Sequence, residues 1–368
     1  MTSFAHLLPR TLSDRQCSVT IAGALSSHQT RDKSFICQAA PDGSTKIQLH
    51  SGWAVLNLAG DRVADAHGAT IPEGTSVFPG DSLILLSPSA GGNLTTPVRF
   101  APTGSVVDEA MVVCFVPYHC GPGLMRPPAI GRRDNPYIRF LRSVPILESQ
   151  VDLSKLPSLI NLETLPVNWN LWGSYKPTIE NTLAMMGDGR FCGDLYNDWR
   201  AADRVPWTQH QGYGTFYGAA RSTAALMLCS TLPLDAKAPL AFALVQEGIA
   251  IAGKVVDGWK QPPNGGHNWG RKFSTLLTGK LLHPDWLKLT EAFGKPFPED
   301  WFTMRQWWTG QVLPTWPWNA QHDGRAFTQH PATWGYQGEG NNGSFGWGIR
   351  YMGQVVPMLL GQAVAAKM

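Results

Sequence analysis

Residues 264–272, Asn-Gly-Gly-His-Asn-Trp-Gly-Arg-Lys, put an imidazole, an amide and two cations on one glycine-rich turn: His267, Asn268, Arg271 and Lys272. That turn opens a helix, because Phe273, Leu276, Leu277, Leu281 and Leu282 recur at helical spacing and predict a helix from Trp269 to Leu282. Arg271 and Lys272 therefore fall in the first turn, where each cation opposes the macrodipole by roughly 0.3–1 kcal/mol. Something must offset that, either an anionic ligand or a buried carboxylate. Backbone N–H groups at a helix start attract anions, and glycines let a ligand come close to the chain. A structural reading competes: Asn-Gly-Gly is an ordinary loop signal, His267 could cap the helix, and Arg271 could pair with an interior acid such as Glu247 or Asp257.

The elements that must hold this turn can be read along the chain. From about Ser18 to Val116, short apolar or β-branched runs alternate with breakers: Ser18 to Ala22, Phe35 to Ala39, Lys46 to Leu49, Trp53 to Leu58, Ser82 to Leu86, Val98 to Phe100 and Met111 to Val116. Such spacing predicts an antiparallel β-sandwich, with no helical period before about residue 150. From Gly121 to Pro166 the prolines, among them Pro122, Pro127, Pro128, Pro136 and Pro145, predict an extended connector wrapped on the surface. Beyond it the period becomes helical, over Tyr213 to Cys229, Asp235 to Val256, Trp269 to Leu282, Pro284 to Phe293 and Gly346 to Ala366. Small residues such as Gly218, Ala220, Ala224, Gly248 and Ala252 let these helices approach closely, as in a bundle or an incomplete α/α toroid. The expected class is thus α+β and multidomain: a β-sandwich over 1–120, a Pro-rich connector over 121–185 and a toroid-like helical domain over 186–368.

Composition narrows the partners. A net charge of +3 with only 15% charged residues in 368 indicates neither a nucleic-acid surface nor an acidic tail. The 15 Trp and 38 Gly exceed ordinary usage, and the Trp residues crowd the second half, where flat indole faces could stack on sugar rings or simply pack. Six cysteines show no Cys-x-x-Cys spacing and no finger-spaced histidines, so no structural zinc is expected and no cofactor is implied. Cys229 reads as a free buried thiol, whereas Cys114 and Cys120 could bridge the loop between them. His210, His267 and His330 would have to converge to hold a metal, and isolated histidines more often pack. The N-terminus lacks a secretory pattern and no apolar run reaches membrane-spanning length, so a cytoplasmic or virion-associated protein is expected unless a signal has been trimmed. No phosphate loop, nucleophile elbow or zinc helix is present.

A series of phrases carries a resemblance: Gln211-Gly212-Tyr213-Gly214, Ala224 to Leu228, Leu244 to Ile249 and, most specifically, Gly265 to Lys272. Together with Phe78 to Leu83 and Arg126-Pro127-Pro128, they resemble an uncharacterised group of bacterial and phage-encoded proteins with a β-rich front and a helical back. That helical half is similar to the α/α toroids of polysaccharide lyases and glycosidases, and the likeness covers roughly residues 75–285. The sequence beyond Leu282 departs from the pattern.

The resemblance implies a carbohydrate-active protein. In a lyase, Arg271, Lys272 or Asn268 would neutralise a uronate carboxylate, His267 or Tyr213 would abstract the acidified α-proton, and a second Tyr or His would protonate the leaving oxygen. His210 and Tyr213 end a loop entering the first helix of the same half, and Trp269 and Glu339 complete the substrate-binding set. A hydrolase would need two carboxylates about 5–9.5 Å apart, with Asp194, Asp198, Asp203 and Glu339 as candidates. The second expectation is a non-catalytic virion tail or decoration protein that contacts surface glycans and assembles as a homo-oligomer or in a virion. Its support is the missing secretory pattern, the divergent segment beyond Leu282 and the Trp-rich loops, where Gly338 to Gly343 around Glu339 looks more like a recognition loop than a catalytic shell.

Overall fold

In the computed structural model, residues 10–14, 17–51, 53–57, 72–88, 107–129, 135–164, 178–186, 214–256, 258, 271–283, 297, 304–305 and 312–313 are described. They form a mixed α+β structure. The first half holds β1 (Arg10–Asp14), β2 (Cys17–Ala22), β3 (Ser26–Gln29), β4 (Phe35–Gln38), β5 (Lys46–Ser51), β6 (Trp53–Asn57), β7 (Thr75–Ser76), β8 (Ser82–Pro88) and β9 (Val107–Val116). One sheet has the order β1-β2-β5-β7 and the other β3-β4-β9-β8-β6.

The chain changes sheet where the backbone can turn sharply. Between β2 and β3, Gly23 adopts φ 73° against the Ser44 carbonyl, where a Cβ would collide. Thr45 closes this corner, accepting from the Ala40 N–H at 2.9 Å and donating to the Gly23 carbonyl at 3.1 Å. Alternate residues of both sheets then meet in one core: Val19, Ile21 and Ile47 from the first, Cys37, Val113 and Phe115 from the second.

The second sheet differs from the antiparallel expectation in one ladder. β4 and β9 run parallel, with Phe35 opposite Val113 and Gln38 opposite Val116. A parallel pair needs a long crossover, and here β5 to β8 lie between the two strands in sequence. The opposite face of the same strands is covered as well, by a cluster of Ile36, Val116, Cys120 and Leu124. Burial on both faces is why Val112 to Val116 reads as a continuous apolar run instead of an alternating one.

The segment expected on the surface is only partly so: residues 124–129 are buried, and later side chains reach into the core. Two-residue strands β10 (Leu124–Met125) and β11 (Ile146–Leu147) pair with each other, and α1 (Pro136–Ser143) stands between them. Asn135 caps α1, its side chain accepting from the Tyr137 N–H at 3.0 Å, and Pro136 sits at the helix start where a missing N–H does no harm. Ile138, Leu141 and Arg142, spaced i, i+3, i+4, are buried. Met125, Ile138, Leu141, Ile146, Val151 and Leu156 join the core of the helical half. Prolines fix φ and remove donors, but they do not stop the intervening side chains from packing inward. The same observation corrects the expectation of no helix before residue 150.

The helical half contains α2 (Ile179–Met186), α3 (Gly214–Leu228), α4 (Leu234–Val256) and α5 (Arg271–Leu281), and β12 (Met304–Arg305) pairs with β13 (Val312–Leu313) further on. Ala220, Ala224, Leu240, Leu244, Ile249 and Leu277 fill its centre. Thr278 donates to the Val245 carbonyl at 3.2 Å while Ser274 reaches Glu247, so α4 and α5 run antiparallel. They approach at Gly248, where any Cβ would overlap the Ser274 carbonyl and the Thr278 hydroxyl. No helix among the described residues is long and apolar enough to cross a membrane.

Gly248→Ala should force α4 and α5 apart and destabilise the protein by about 1–3 kcal/mol. Gly121→Ala, with open space around it, should stay within about 0.5 kcal/mol of the parent. Urea denaturation followed by circular dichroism compares the two, and equal midpoints would refute the close-approach argument.

Candidate functional site

The polar centre of the helical half is the Glu247 carboxylate on α4. Arg221 on α3 donates to it through Nη2 at 2.7 Å and Nε at 3.3 Å, and both side chains are 0% exposed. Ser274 on α5 donates through Oγ at 2.9 Å. Three helices thus converge on one carboxylate. A buried carboxylate is tolerable only when paired and hydrogen-bonded, and the bidentate guanidinium and the hydroxyl meet that condition.

The first turn of α5 rests on this knot. Arg271 stands three residues before Ser274 on the same helical face and is 2% exposed. Lys272, its neighbour, is half-buried. Glu247 is therefore a carboxylate of the kind that Arg271 and Lys272 require at a helix N-terminus. Arg221 is bonded to it directly. Arg221 carried its own signal: a lone arginine among Gly218, Ala219, Ala220, Ala224 and Ala225 must find an acid once that small-residue face is buried.

Of the residues singled out for chemistry, the structure places Arg271 and Lys272 together at the start of α5. His210, Tyr213, His267, Asn268, Trp269 and Glu339 lie outside the described residues, as do Asp194, Asp198, Asp203, Asp257 and His330. Among the described residues no group of three or more His, Cys, Asp or Glu side chains is arranged to hold a metal.

Other buried cations serve the frame. Lys237 donates through Nζ to the carbonyls of Ser230 at 2.7 Å, Pro157 at 3.0 Å and Leu228 at 3.1 Å, closing the C-terminus of α3. Arg126 pairs with Asp32 at 3.1 Å, and its backbone exchanges two hydrogen bonds with the Gln246 amide on α4, at 2.7 and 2.8 Å. Arg142 donates to the carbonyls of Gly80, Pro128 and Ala129. Arg31, from the β3–β4 loop, forks onto Glu148 and lies 5.1 Å from the Phe242 ring centroid. These contacts tie the strands, the proline-rich segment and the helices together.

Cys37, Cys114, Cys120 and Cys229 are buried free thiols, so Cys114 and Cys120 do not bridge the loop between them. Burial pushes the Cys120 thiol up to about 11 and the Cys229 thiol up to about 12, which leaves neither as a thiolate near neutral pH.

No protein-family model matches this sequence, and no curated protein and no solved structure matches it.

Two outcomes follow from the buried groups. Glu247→Ala should cost about 3–5 kcal/mol by leaving Arg221 buried without its acid, while the paired replacement Arg221→Met with Glu247→Leu should cost much less. Chemical denaturation of both variants checks this; equal losses would mean that the charge pairing is not what holds the helices. Alkylation at pH 8 mapped by mass spectrometry should spare Cys120 and Cys229 in the native protein and label both in urea. Native-state labelling of either would contradict their burial.

Proposed function

We propose that this chain is a carbohydrate-active protein that engages an acidic polysaccharide at the start of α5, and that its chemistry, if it turns over, is that of a lyase. The observation that carries the reading is the pair of cations opening a helix on a rigid, charge-saturated base, because a site for an anionic ligand needs positive groups held in place in advance. The resemblance of residues 265–272 to proteins with lyase-like helical halves supports it.

Burial divides the roles. Lys272, half-buried, and Asn268 are the groups suited to meet a uronate carboxylate. Arg271 supports them as a positioning residue by fixing the first turn and adding its field from beneath. Neutralising the carboxylate acidifies the adjacent C–H, whose proton passes to His267 or Tyr213. The electron pair forms the new C=C bond as the C–O bond breaks, and the leaving oxygen takes a proton from a second Tyr or from His210. Trp269 and Glu339 complete the substrate-binding set. In the same reading the two sheets form a sandwich and α2 to α5 belong to an incomplete α/α toroid. The chain then divides into 1–120, 121–185 and 186–368.

A second reading is favoured by the burial of Arg271: a non-catalytic virion tail or decoration protein that keeps the fold and binds surface glycans. Incubation with alginate, polygalacturonate and hyaluronan separates the readings. A lyase generates unsaturated ends absorbing in the ultraviolet; His267→Ala abolishes that product while leaving polymer binding intact, and Lys272→Ala weakens binding roughly 10-fold or more. Binding without product establishes the second reading, and no binding to any of the polymers rejects both.

A further inference from the structure

We draw no further inference here: the strongest candidate, the side-chain cluster at the β3–β4 hairpin tip where Arg31 meets Glu148 and Phe242 and Asp32 meets Arg126, belongs to the frame already described, which holds the β-rich half to the helical half.

Discussion

The helical half depends on one buried ion pair. An isolated carboxylate withdrawn from water is too costly to keep charged, so Glu247 can be buried only if its acceptors are filled from inside the protein. Arg221 and Ser274 fill them from two different helices. That requirement sets the register of α3 and α5 on α4, since sliding either helix by a turn would leave the charge without its donors. Gly248, the next residue along α4, removes the side chain that would keep α5 at a distance and lets the short Ser274 hydroxyl reach. Apolar packing among Ala220, Ala224, Leu244 and Ile249 supplies the larger area, but small aliphatic faces slide over one another easily. The directional bonds select one arrangement among the several that alanine-rich helices would tolerate.

Arginine plays a related part where the chain is irregular. Segments such as 124–129 have few ladder partners, and their carbonyls must still be satisfied once buried. A guanidinium brings five donors in a fixed plane, which suits a site where several carbonyls converge without regular spacing. Arg142 gathers Gly80 from the β-rich half and Pro128 and Ala129 from the connecting segment. Arg126 binds Asp32 from a hairpin tip while its backbone is read by Gln246. Residues 124–129 are thereby buried between strands and helices, although the prolines around them made the segment look external in the sequence.

How far the sequence revealed this depended on whether a feature was local. Strands such as Phe35–Gln38 and helices such as Leu234–Val256 follow from side-chain period, which neighbouring residues settle among themselves. The parallel pairing of β4 with β9 links residues nearly eighty positions apart and leaves no periodic trace. α1 is only eight residues long, too short for its period to stand out among prolines, although Asn135 followed by Pro136 was a readable helix start. The site was legible in part. The cations at the start of α5 were evident, and so was Glu247 as a candidate interior acid, yet its pairing with Arg221 on α3 is a question of which helix faces which.

The placement of Arg271 bears on what kind of site this end of the protein can be. A cation that meets a substrate must give up water only when the substrate arrives, whereas one already at 2% exposure has given it up on folding. Its favourable interactions are then committed to the protein, and it contributes to a ligand mainly through its field, which falls off slowly in a medium that screens poorly. Lys272 differs in being only half-buried, on a flexible stem. On the proposed reading, a fixed charge beside an adaptable one would orient a carboxylate without clamping it. Such an arrangement suits a long polymer that must move along the surface better than it suits a small ligand held in a closed pocket, because the attraction persists while the individual contact is exchanged.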